Sequence, residues 1–285
     1  MASMPCEGEV MKTTGVGEAA SLRDVQSLAH RLKVAFDPVR MVLRDKSVEA
    51  KPKVLGVALG YILTSAFKTF SALVKVCDVG EPWGLQGMVF SRMLFENYVT
   101  ARWLAARPAE RAKLFIEFGH IAEVQSALIK GEFDNRFFAR GHVAPGGRSQ
   151  LRGQFFRVLP LFCKLKPGQG ITKKQVLRQK WTYKSLPCMI KDLGERELDK
   201  DYKILHFFSS SVVHGTPFAA RANIADDLTY RWTPDPQLAS AALSAGLEYF
   251  LKLTLFCDQR LCLGQRSALE ALQHASHSHP ANEHT

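Results

Sequence analysis

The sequence predicts an all-α fold, a helical bundle with a basic, loop-containing central insertion. Apolar residues recur at three- and four-residue steps along most of the chain. Only Leu228 to Trp232 competes with a period-two pattern of strand length. Glycine and proline punctuate the chain into helix-length pieces. The 285 residues are 46% apolar and 23% charged, which excludes disordered and collagen-like classes and allows a sizeable core.

The first helical pattern runs from Ser21 to Lys46, with Leu22, Val25, Leu28, Leu32, Phe36, Val39 and Leu43 on one face and a break expected at Pro38. Val54 to Cys77 is the most hydrophobic segment. Its uninterrupted part, Val54 to Phe67, has 14 residues before Lys68, whereas a spanning helix needs about 20, so it reads as a buried core helix and no membrane span is expected. Trp83 to Arg107 and Ala109 to Lys130 follow as amphipathic helices, stopped by Pro108 and Gly131. Residues 141–147 and 166–170 read as loops, with a short helix between them cut at Pro160. Thr172 to Leu193 reads as one helix disturbed at Pro187 and stopped at Gly194. Asp199 to His214 and Leu238 to Leu263 complete the bundle, joined by an irregular connection from Pro217 to Pro236. The expected organisation is a flexible segment over 1–20, one helical domain over 21–263 and a disordered His-rich tail over 264–285.

Residues 1–20 contain Glu7, Glu9 and Glu18 and no apolar stretch of the kind a signal peptide needs. The six cysteines contain no C-x-x-C pair, which argues against a structural zinc site and for a reduced, cytoplasmic protein. No P-loop, dinucleotide-binding glycine pattern, H-E-x-x-H or EF-hand loop occurs, and no cofactor or metal is expected. The tail histidines His274, His277, His279 and His284 have no scaffold to fix a metal and read as solvated.

Charge is concentrated. Residues 135–191 hold 13 of the chain's 38 basic residues and none of its 27 acidic ones, so the rest of the chain is close to neutral. Such a block supplies the salt-dependent, sequence-independent part of nucleic-acid affinity. Phe137, Phe138, Phe155, Phe156, Trp181 and Tyr183 are interleaved with it, and such rings can stack on unpaired bases. The block points to a polyanion, RNA or single-stranded nucleic acid first, with Arg148, Arg152, Lys173, Lys174, Arg178, Lys180 and Trp181 as binding candidates. The competing reading is a solvated basic face with its rings in the core. An anionic lipid surface or an acidic protein would also satisfy the charge, and a homodimer is compatible with it.

Two polar clusters are candidate sites. In the third helix the row 85–89–92–96–99–103 puts Arg92 and Glu96 on the face expected to meet the core, four residues apart and able to pair. Buried there, the pair would be costly to break, and removing Glu96 alone would cost roughly 3–5 kcal/mol. The second cluster is Ser209-Ser210-Ser211-Val212-Val213-His214, where Ser210 and His214 share a helical face. They fit a nucleophile and base, or a proton-transfer and phosphate-contacting pair, or a hydrogen-bonded helix end.

The Arg-Met-Leu-Phe-Glu run at Arg92 to Glu96, followed by Trp181, Ser185, Leu193-Gly194, Tyr202 and Ser210-x-x-x-His214, resembles the bacterial helical family called domain of unknown function number 5677, over roughly residues 50–260. The resemblance implies an all-helical fold and a polar Arg/Glu/Ser/His cluster, and no activity. The basic block departs from the family's plainer pattern. A wider analogy is to HEPN helical bundles, many of them ribonucleases marked by Arg, four to six residues, then His. Arg23 with His30 and Arg136 with His142 meet that spacing, at about the frequency chance allows, so the spacing carries no weight. An HEPN-like catalyst here would have to use the dispersed set Arg92, Glu96, Ser210 and His214, with His-assisted attack of a 2′-hydroxyl and Arg92 neutralising phosphate charge.

Two functions of different class therefore stand. One is a nucleic-acid-binding protein or metal-independent ribonuclease effector of a defence or toxin module. The other is a non-enzymatic binding or scaffold protein whose Arg/Glu/His cluster organises the bundle.

Overall fold

A computed structural model describes residues 21–45, 53–133, 184–216 and 234–277, together with positions 153, 157, 182 and 219. The described residues are helical with no strand. The candidate strand at 228–232, the loops at 141–147 and 166–170 and most of the basic block lie outside them.

Helix α1 spans Leu22–Ala35, and the Ser21 hydroxyl accepts the Asp24 backbone N–H at 3.3 Å as its N-cap. The break expected at Pro38 falls at Phe36, and α2 spans Asp37–Asp45 with Pro38 in its first turn, where proline's missing N–H costs nothing. Helix α3 spans Lys53–Val76, α4 spans Gly84–Ala106 and α5 spans Pro108–Phe133. The expected stop at Gly131 is overridden, since α5 runs two residues past it. Next come α6, Leu186–Leu193, and α7, Arg196–Val213. The long helix expected over 172–193 does not form in full: residues 182, 184 and 185 are not helical, Ser185 is the N-cap of α6, and Pro187 lies in its first turn. Gly194, with φ of +72°, ends α6 in the left-handed conformation a glycine tolerates. Helix α8 spans Pro236–Leu261, capped by Asp235, whose carboxylate accepts the Leu238 N–H at 2.9 Å.

The chain then forms α9, Arg266–His277, where the sequence suggested the start of a disordered tail. Leu263, Leu269 and Leu272 are buried against the bundle, and the Asp258 carboxylate accepts the Gln265 N–H at 2.8 Å across the turn. The apolar spacing was there to be read, but the surrounding polar residues masked it.

Helix α4 is the axis of the bundle, packed against α3, α5, α6, α7 and α8. It runs parallel to α8, since Gly84 meets Ala239, Ser91 donates to the Ala242 carbonyl at 2.6 Å, and Arg102 lies over Phe256. It runs antiparallel to α7, since Arg92 reaches Ser209 while Phe95 lies beside Tyr202, and Trp103 near its end reaches Asp192 of α6. Gly84, Gly87 and Gly246 allow the close approach on the α8 side: a Cβ on Gly84 would stand 2.7 Å from the Ala239 backbone nitrogen. Stacked rings fill the core between α8, α3 and the end of α1, with Phe70–Phe250 centroids 4.5 Å apart and Phe36–Phe67 at 4.6 Å. Helix α3 is long and apolar enough to cross a membrane by length and composition, and half of its most apolar window is buried among the other helices. Leu59, Leu63, Phe70 and Leu73 on it are fully buried, which is the packing of a core helix.

Candidate functional site

The most buried row of α4 is not the one containing Arg92 and Glu96. Gly84, Met88, Ser91, Phe95 and Tyr98 lie on the buried face, one residue back from the predicted seam. Arg92 and Glu96 flank that face on the side of α7. Their side chains retain 27% and 39% of their exposure, so the pair is half-buried at an interface edge. The expectation of a core ion pair is therefore corrected. Four-residue spacing brought the two charges together, but neighbours on both sides of α4 set which row faces inward.

Arg92 Nε donates to Glu96 Oε1 at 2.7 Å, and Arg92 Nη1 donates to Ser209 Oγ at 3.3 Å. Ser209 is fully buried and also donates to the Leu205 carbonyl at 2.5 Å. Ser209 is thus the residue of the serine run that joins the pair, where the sequence reading pointed to Ser210. Ser210 is half-buried, and its carbonyl accepts the His214 backbone N–H at 3.0 Å. His214 is the exposed C-cap of α7. Five residues beyond Ser209 put it about 7.5 Å further along the helix and about 140° around it. Among the described residues its imidazole has no hydrogen-bond partner. Arg92, Glu96 and Ser209 come together; Ser210 and His214 take no part in their contacts.

Down the same α4 interface runs a polar strip that the sequence reading missed. The Tyr249 hydroxyl donates to Asp201, and its ring meets Phe95 edge-on at 4.9 Å. Burial first, then that carboxylate, pushes the Tyr249 phenol above its ordinary pKa. Arg102 pairs with Glu195, donates to the Tyr98 hydroxyl at 2.6 Å and lies over the Phe256 ring. Trp103 Nε1 donates to Asp192 at 3.0 Å, and Lys184 Nζ donates to both Asp192 oxygens at 2.8 and 2.6 Å. Arg111 stacks on Trp103 with 3.7 Å from its guanidinium carbon to the ring centroid, donates to the Trp103 carbonyl at 2.7 Å and stands 3.9 Å from Asp192. The Lys184 hydrogen bonds foremost, then the Trp103 N–H, hold the Asp192 carboxyl below its usual range. The contacts that tie the strip together, Tyr249 to Asp201, Arg102 to Glu195 and Trp103 to Asp192, join residues far apart in sequence, so nothing local in the chain signalled them.

Of the nucleic-acid candidates, Arg148, Arg152, Lys173, Lys174, Arg178, Lys180 and Trp181 lie outside the described residues. Three other cations of the basic block are described: Lys184 on Asp192, Arg157, whose Nη2 lies 3.4 Å from Glu117 on α5, and the exposed Lys191 on α6. Among the described residues no three His, Cys, Asp or Glu side chains gather around one point as a metal site would require.

An all-helical bundle built on a central helix, with an Arg-x-x-x-Glu pair at its edge and a serine from a late helix closing on it, defines a class by architecture and by site. The chain belongs to the family of unknown function DUF5677, whose model matches residues 57–229. None of the curated proteins and none of the solved structures matches it.

Proposed function

We propose that this protein binds polyanions, single-stranded or looped RNA foremost, through its basic block, with the helical bundle as scaffold. The observation that carries this reading is the run of residues 135–191, with 13 basic and no acidic residues and with aromatic side chains interleaved. Cations supply the phosphate affinity and rings the preference for unpaired bases. The Arg92 cluster supports a binding protein over a ribonuclease. Its guanidinium is already engaged by Glu96 and Ser209, and His214 takes no part in those contacts.

The test is fluorescence anisotropy with a labelled single-stranded RNA over a series of salt concentrations. With about six phosphate contacts, log affinity should fall against log salt with a slope near −4 to −5, at about 0.7 per contact. Reversing the charges of Lys173, Lys174, Arg178 and Lys180 together should weaken binding and flatten the slope. Absence of binding at low salt removes nucleic acid as the partner. RNA cleavage abolished by His214→Ala would put the ribonuclease reading in front.

A further inference from the structure

Helices α1 and α9 pack together and leave an open groove between them. Its volume of about 680 Å³ is that of a binding site. Helix α1 supplies His30, Arg31 and Val34 to the groove, and α9 supplies Ala268, Ala271 and Leu272. Leu272 is the buried floor, whereas Val34 on the wall is a branched apolar side chain left 69% exposed. The lining is mostly apolar, and its charge has one sign, since no acidic residue lines it. Arg31 and His30 on the α1 rim are exposed, as is Arg23 two turns before His30. Among the described residues none of the three side chains makes a hydrogen bond or an ion pair. The acids of these two helices are already engaged. Asp24 accepts the Ser21 hydroxyl at 2.5 Å at the N-cap, and Glu270 accepts from Arg266 at 2.7 Å. Glu270 also stands two residues from Leu272, about 200° around α9, and so faces away from the groove.

We propose that this groove docks an acidic amphipathic helix of a partner protein. The open shape favours a helix over a small molecule, which would be left half in water. Lining positions 27, 30, 31 and 34 of α1 and 268, 271 and 272 of α9 recur at three- and four-residue steps, and such ridges form the grooves into which a third helix packs. Alanine at 268 and 271 lets its backbone come close. The partner's apolar row covers Val34 and Leu272, and an acidic row beside it pairs with Arg31 and His30. The unpaired cations set the sign of the partner, because a basic helix would meet like charge with no carboxylate in reach. The site is separate from the basic block and stands or falls independently of RNA binding.

The probe is a fluorescein-labelled synthetic peptide of about 14 residues, four helical turns, with leucine along one helical face and glutamate beside it. A second peptide carries lysine in place of each glutamate. By fluorescence anisotropy the wild-type chain should bind the glutamate peptide about tenfold more tightly than the lysine peptide. Arg31→Glu should weaken that binding by about tenfold. Val34→Ser should weaken it by about three- to fivefold, because it strips apolar surface that docking covers. Both positions are exposed, so neither change touches the core. Lys200→Glu alters net charge as Arg31→Glu does, but on exposed α7, which packs chiefly against α4 and α6, and should leave binding unchanged. An excess of single-stranded RNA should not displace the peptide. Absence of binding by the wild type overturns the proposal. So does an equal loss from Lys200→Glu or displacement by RNA, each of which would report a general anion-attracting surface. Sedimentation equilibrium without peptide should give the wild type and Arg31→Glu the same mass; a wild-type dimer that Arg31→Glu dissociates would make a second copy the occupant and overturn the acidic helix.

Discussion

Glu96 shows how far one residue's surroundings change its energetic role. Had the pair with Arg92 been in the core, losing Glu96 would have stranded a desolvated guanidinium. With 27% and 39% of the two side chains still exposed, water reaches both, and Ser209 remains as a partner for Arg92. Glu96→Ala should lower stability by only about 1 kcal/mol, measured as a small shift in urea midpoint; a loss of several kcal/mol would restore the core-pair reading. Asp192 behaves differently because three neighbours favour its charged form. Its carboxyl titrates below the usual range in the folded protein, so its contribution is present above the unfolded value of about 3.9 and is lost as pH falls through the folded value. Thermal melts of wild type and Asp192→Asn should therefore differ at pH 7 and converge as the pH drops below about 4. The spacing of Arg92 and Glu96 was legible in the sequence because four residues is one helical turn. Ser209, Glu195 and Asp192 as partners were not, because they arrive from other helices.

Whole helices were legible where the apolar period is strong. The cores of α1, α3, α4, α5 and α8 lie within the segments the periodicity marks, and Gly194 and Ser21 are the stop and start that their chemistry implies. Errors fell where a local signal met a stronger tertiary one. The polar, His-rich composition after Gly264 concealed Leu269 and Leu272, whose burial against the bundle holds α9 in place. The glycines of α4 read locally as weak points of a helix. Against α8 they are where the backbones come closest, and a Cβ on Gly84 would stand 2.7 Å from the Ala239 nitrogen, a backbone atom that cannot turn aside. Gly84→Ala should destabilise by about 1–3 kcal/mol, although alanine is the better helix former by up to about 1 kcal/mol. A thermal midpoint equal to or above wild type would mean that α4 and α8 can move apart at little cost.

Across the whole molecule the buried and exposed shells make a chemical prediction. Burial pushes the Cys77 thiol up to about 12 and raises Cys257 as well, while Cys188 and Cys262 are exposed. Brief alkylation of the folded protein, read by peptide mass spectrometry, should modify Cys188 and Cys262 and spare Cys77 and Cys257 until denaturant is added; labelling of Cys77 at the same rate as Cys188 would refute this packing. By itself the sequence determined the all-helical class, the family resemblance, most helix positions and the concentration of positive charge in residues 135–191. Those follow from periodicity, short motifs and composition, which are properties of neighbouring residues. Only the tertiary structure decided which row of α4 is buried, that Ser209 and not Ser210 meets Arg92, and that Asp192 gathers Lys184, Trp103 and Arg111. Each of those depends on which helices pack together and at what rotation, and the free energy of that choice is summed over the whole core and encoded at no single position.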